Sequence, residues 1–171
     1  LAYGEYSNGI IPANSALIFD LELIEIVEEQ EVAYSELLFT DFTVTQEDGT
    51  KVSLSDYVGK GRYALVHFWA SWAAPCRKSF PHLVNFYRGH KKTLDMLGIA
   101  VWDKPEDSRA AIYNYDLEYP QIVNANETHT KLYNIDSVPH LILFDPDGRI
   151  IMQGSYSEDF LMEVKSIIYK N

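Results

Sequence analysis

The sequence predicts an α/β domain built on a central mixed sheet flanked by helices. Three observations carry this. Residues 63–70 and 97–102 are near-continuous apolar runs, the pattern of strands buried on both faces. Between and after them, apolar residues recur at helical spacing, as at Phe80, Leu83, Val84 and Tyr87. Asp145-Pro146-Asp147-Gly148 is a turn between two further strand segments, which makes that pair antiparallel.

In chain order, residues 1–28 read as a separate unit. Gly4, Asn8-Gly9 and Pro12 punctuate a loop, and residues 16–27 form a long apolar, β-favouring strand. Residues 29–37 are a linker. The main domain covers 38–171. It starts with an N-terminal β-hairpin, in which residues 42–45 and 51–54 flank Glu47-Asp48-Gly49, and one helical turn follows over 53–58. After the strand at 63–70, a helix runs over about 74–92. After the strand at 97–102, Asp103-Lys104-Pro105-Glu106 resembles a capping box with an early proline, so a second helix runs to about residue 115. A short helix covers about 127–133, strands cover 140–144 and 149–153, and Ser157 caps a last helix with Phe160, Leu161, Val164 and Ile168 on one face. From residue 63 the expected order is β-α-β-α-α-β-β-α.

The 171 residues are enough for one good domain, and 47% apolar residues can fill its core. The net charge of -11 comes with no basic stripe, which argues against a nucleic-acid partner and suits solubility. No apolar run is long enough to span a bilayer. Opening at Leu1 in what reads as mid-domain sequence, the chain is expected to be a fragment, with any targeting segment upstream. Its single cysteine, Cys76, rules out an intramolecular disulfide.

Chemistry is expected where the strand at 63–70 meets the next helix, in Phe68-Trp69-Ala70-Ser71-Trp72-Ala73-Ala74-Pro75-Cys76-Arg77-Lys78. A thiol there meets unpaired N–H groups and the positive end of the helix dipole, which favour thiolate. This stretch closely resembles the Trp-Cys-x-x-Cys junction of the thioredoxin family, with Trp72, Pro75 and Cys76 matching. Pro81 matches that family's helix-kinking proline, and Val138-Pro139 its cis-proline loop. The extra residues before the helix at 127 resemble the insertion of the TlpA-like branch, whose members are extracytoplasmic. The resemblance covers about 38–171. It implies a thioredoxin-like fold, polypeptide thiol or disulfide substrates, no cofactor, and substrate contacts at Trp72, Pro75, Val138 and Pro139. Trp69 is expected in the core and Trp72 at the surface.

Three departures stand against the match. Ala73 occupies the place of the nucleophilic cysteine, and a methyl group cannot attack a disulfide. His67 replaces the family's usual buried acid, and Ser79 replaces a glutamate frequent in the TlpA-like branch. Cys76, at the resolving position, is expected to be a shielded thiol one turn into the helix. The five histidines, His67, His82, His90, His129 and His140, do not converge in a metal-binding pattern, so no metal is expected.

Residues 1–28 resemble the end of an FKBP-type peptidyl-prolyl isomerase, with Tyr3, Ile11 and Phe19 at positions that line the proline pocket there. The rest of that pocket is absent. A strand without its partners exposes apolar side chains and backbone groups, so it is expected to dock on the main domain's own sheet edge or, the preferred reading, to pair with the same segment of a second molecule as a dimer. Three functions remain open: a thiol-disulfide oxidoreductase whose nucleophile was removed by design, a naturally redox-dead module that binds polypeptide or a partner, and a monothiol enzyme using Cys76.

Overall fold

The protein is described from a computed structural model, which places residues 38–123 and 125–170. The readings of residues 1–28 and 29–37, including Tyr3, Ile11, Phe19 and the strand at 16–27, lie outside the described residues.

The first element is the expected hairpin, β1 (Thr43–Thr45) and β2 (Lys51–Ser53), which pair antiparallel as a separate two-stranded sheet. Its turn needs a left-handed residue, and Gly49 supplies it with φ 84°. Asp48 accepts the Thr50 N–H and pins the turn. A 3-10 turn, Leu54–Asp56, follows and buries Leu54.

The central sheet has five strands in the order β5-β4-β3-β6-β7. They are β3 (Tyr63–Trp69), β4 (Leu94–Ala100), β5 (Gln121–Ile122), β6 (His140–Phe144) and β7 (Ile150–Ser155). The first three run parallel, while β6 is antiparallel to β3 and β7 to β6. The sheet is therefore mixed. The helices are α1 (Ala74–His90), α2 (Pro105–Asn114), α3 (Glu127–Lys131) and α4 (Glu158–Ile168).

Alternate residues of β3 serve two cores. Leu65 and Trp69 face a cluster completed by Phe80, Leu83 and Val84 of α1 and by Phe160, Leu161, Val164 and Ile168 of α4. Ala64, Val66 and Phe68 face the other side, closed by Phe42, Val44 and Leu54 near the hairpin and by Tyr133 and Ile135 after α3. Each fully buried Leu or Phe stabilises the fold by about 1.5–3 kcal/mol.

Several boundaries differ from the sequence reading. Strand β5 is missing from it, because two residues carry no periodicity. Strand β4 starts at Leu94, earlier than residue 97, since Asp95 is carried at the sheet margin by an ion pair with Arg62 at 3.2 Å. It ends before Trp102, whose backbone turns left-handed with φ 53°. The capping box at residue 103 does not form: Lys104 is the N-cap without a side-chain bond, and the Asp103 carboxylate is held elsewhere. Helix α3 stops at Lys131, because Asn134 turns with φ 52° and Tyr133 folds into the core. The Ser157 cap forms as expected, accepting the Phe160 N–H at 3.0 Å.

Candidate functional site

The sheet register brings three loops to one place. Because β3 and β4 are parallel with Trp69 opposite Ala100, the loop after Ala70 lies beside residues 101–104. The Val101 N–H donates to the Trp69 carbonyl at 2.9 Å and continues that pairing. On the other side, β6 begins at His140 opposite Phe68, so Val138-Pro139 lies beside the same end of β3. The Val138–Pro139 peptide is cis, Pro139 is buried and Val138 half-buried.

The loop from Ser71 to Ala73 is tied on every side. The Asp103 carboxylate accepts the Ser71 N–H at 2.6 Å and the Ser71 hydroxyl at 3.0 Å. Such bonds to an ionised acceptor are about twice as strong as neutral ones. The Arg77 guanidinium donates back to the carbonyls of Ser71 and Trp72, at 2.9 and 2.6 Å. The Trp72 indole N–H donates to the Trp102 carbonyl at 2.9 Å, which leaves the ring 60% exposed. Ala73 is the N-cap of α1, its methyl is buried, and no side-chain cap exists there. Pro75 is exposed on the first turn.

Cys76 is the third residue of α1 and is fully buried. Burial pushes its thiol up from 9.0 to about 11, against weaker opposing help from the Ala70 backbone and Arg77. Desolvation thus outweighs the helix terminus, and the thiolate that this position favours in an exposed thiol is not formed here. Ser79, also buried, donates its hydroxyl to the Cys76 carbonyl at 2.9 Å.

Beneath the thiol lies a buried polar group that the sequence reading named only in part. His67 Nδ1 and the Tyr119 hydroxyl are 3.1 Å apart, and His67 Nε2 has no partner. Burial pushes the His67 ring down to about 3, so it is neutral, and pushes the Tyr119 hydroxyl up. The Trp69 indole N–H donates to the Gln121 side-chain oxygen at 3.0 Å, and the Gln121 amide donates to the Tyr119 carbonyl. Gly98 makes room for it, since a Cβ there would overlap the Gln121 amide.

Trp72, Trp102, Asp103, Lys104, Asp107 and Glu127 border a groove of about 600 Å³. Val138 and Pro139 do not line it. The sequence reading missed Trp102, Asp103 as a tether, Arg77, Tyr119 and Gln121. One signal was available: residues 101–103 follow a buried parallel strand, and the carboxyl ends of parallel strands are where such sheets build sites. His140 is half-buried, with its ring pushed down by burial. Among the described residues, no three His, Cys, Asp or Glu side chains come together to hold a metal, and no helix is long and apolar enough to cross a membrane.

This arrangement is also recognisable outside this chain. Residues 38–153 match the AhpC/TSA family.

The chain belongs to the AhpC/TSA family.

Within it, this AhpC/TSA protein has thioredoxin-like thiol-disulfide oxidoreductases as homologues. It is 26% identical over 134 residues to the thiol-disulfide oxidoreductase ResA of Bacillus subtilis, covering 75% of this chain and 72% of that one. It is 28% identical to ResA of Geobacillus kaustophilus, covering 74% of each. Among solved structures, the thioredoxin domain of a thiol-disulfide oxidoreductase from Bacteroides vulgatus superposes with a TM-score of 0.69 at 28% identity, covering 78% of this chain and 97% of that one. The fold is thioredoxin-like.

Proposed function

We propose that this chain is a redox-inactive thioredoxin-like domain of the TlpA-like, extracytoplasmic kind, which holds polypeptide at the disulfide-exchange site without exchanging disulfides. The observation that carries it is Ala73 at the N-cap of α1, in a loop whose other tethers are all in place. Disulfide exchange begins with attack by a thiolate. Ala73 has none, and Cys76 is buried with its thiol pushed up to about 11. The same burial speaks against a monothiol enzyme.

A natural loss of activity is supported over a single designed replacement. His67 Nδ1 is paired with the Tyr119 hydroxyl, its Nε2 being unpaired, and Ser79 donates to the Cys76 carbonyl, so both residues at the family's acid positions are bonded within the core. The coding sequence at position 73 decides this: a cysteine codon in the natural gene overturns it. The functional test is insulin reduction in the presence of dithiothreitol. The expected result is no turnover above the uncatalysed thiol background, and turnover above it overturns the proposal. The bound class is polypeptide, as the thioredoxin-like resemblance implies; the homologues are named as thiol-disulfide oxidoreductases.

The FKBP-type reading of residues 1–28 rests on sequence resemblance alone, since the family match begins at residue 38. It requires that the natural gene encode the aromatic floor of that pocket upstream of Leu1, which sequencing tests. Pairing of two chains through residues 16–27 requires a dimer in light scattering that is lost in a chain starting near Glu36.

A further inference from the structure

We propose that the groove between Trp72 and Trp102 takes an extended stretch of polypeptide bearing lysine or arginine. This rests on the polypeptide-binding reading above and adds the chemistry of what is bound.

Two features hold the tryptophan side of the groove in place. Trp102 is held in the left-handed region that favours glycine, with φ 53°. Strain of this kind in a bulky residue persists only where the surroundings impose it, and it concentrates at functional sites. Its carbonyl accepts the Trp72 indole N–H. The Trp72 indole is thereby tied to the Trp102 backbone, with Trp72 60% exposed in a domain whose third tryptophan, Trp69, is fully buried. A hydrogen-bonded indole edge leaves the ring face available, and that face attracts Lys and Arg.

The charges on the walls have the matching sign. Asp103, Asp107 and Glu127 border the groove against one cation, Lys104. Glu127 forms an exposed ion pair with Lys131 at 3.4 Å, while Asp107 and Asp103 are in no ion pair among the described residues. Asp103 also anchors Ser71, which places its negative charge at the junction of groove and site loop. Aromatic faces flanked by carboxylates select a cation with an apolar stem, the description of a Lys or Arg side chain. The chain's net charge of -11 would draw such a segment in.

The test is a tryptophan-fluorescence titration of the full chain with three cysteine-free peptides of one length. One alternates Ser with Lys, one Ser with Gln, and one Ser with Glu. The Lys peptide is expected to bind about tenfold more tightly than the Gln peptide, the combined effect of one cation–π contact and one or two exposed ion pairs. The Glu peptide should bind most weakly, and added salt should narrow the differences. Asp107→Asn with Glu127→Gln should cut the preference to about threefold, the part left to the Trp72 ring and Asp103, and Lys104→Gln should increase it. Both change exposed side chains only, and circular dichroism checks that each variant is folded. Equal binding of all three peptides overturns the cation preference and leaves polypeptide binding standing. Binding of none overturns both. A preference left at its full size by the double substitution, or one unmoved by Lys104→Gln, also overturns the assignment to this groove.

Discussion

On the rim of the site, Trp72 stands 60% exposed and Ser71, Trp72, Arg77, Trp102 and Asp103 are joined by hydrogen bonds of 2.6 to 3.0 Å. A few residues away, at its centre, Cys76, His67 and Ser79 are fully buried and Ala73 contributes only a methyl group. The rim presents an exposed ring on a fixed loop. The centre presents no exposed thiol. The shape of such a loop does not depend on a cysteine at position 73, because its tethers run through backbone groups and neighbouring loops.

The largest expected effect separates the two regions by reactivity. Moving a thiol from 9.0 to about 11 lowers its thiolate fraction at neutral pH by about 100-fold, before access is considered. Iodoacetamide should label Cys76 at least about 100-fold more slowly in the folded chain than in urea. Labelling at the unfolded rate would move the thiol onto the rim and revive the monothiol reading.

Acid should expose the centre next. Burial holds His67 neutral, with its pKa moved from 6.5 down to about 3. As pH falls below about 6.5, the unfolded chain takes up a proton that the folded chain refuses until about 3. Stability from this group is complete above that window, and falls by about 1.4 kcal/mol per pH unit within it. His67→Gln can still hydrogen-bond to Tyr119 but does not titrate, so its urea midpoint should fall less steeply between about pH 7 and pH 4. Parallel slopes would locate the acid sensitivity elsewhere.

Gly98→Ala tests how tightly the centre is packed. The new methyl overlaps the Gln121 amide, which is expected to swing aside and leave the Trp69 indole N–H without its acceptor. The expected loss is about 1–3 kcal/mol, the cost of an unsatisfied buried donor, measured by chemical denaturation. A loss near zero would mean that Gln121 is not a fixed part of the floor. The rim should respond least. Asp103→Asn removes the charge from the Ser71 tether and should cost about 1 kcal/mol, while leaving the Cys76 labelling rate unchanged. If that rate rises, rim and centre are one unit and the comparison fails.

Local pattern determined much of this from sequence alone. The apolar runs around Val66 and Ile99 announced buried parallel strands, Glu47-Asp48-Gly49 announced the hairpin, and Ser157 announced its helix, since each is a periodic or capping signal carried by neighbours in the chain. The site's address was also legible, because Trp72, Ala73, Pro75 and Cys76 sit together in one motif with Val138-Pro139 beyond it. Tertiary structure alone decided the rest. Asp103 read as a helix cap, yet β3–β4 register sets it against Ser71, 32 positions away. His67 meets Tyr119 across 52 positions, and Trp69 meets Gln121 across the same interval. No local pattern encodes which residue a folded sheet will bring opposite another. The raised Cys76 thiol follows for the same reason: the helix terminus that favours its charge is local and readable, whereas the burial that overrules it is created by the whole core closing over α1.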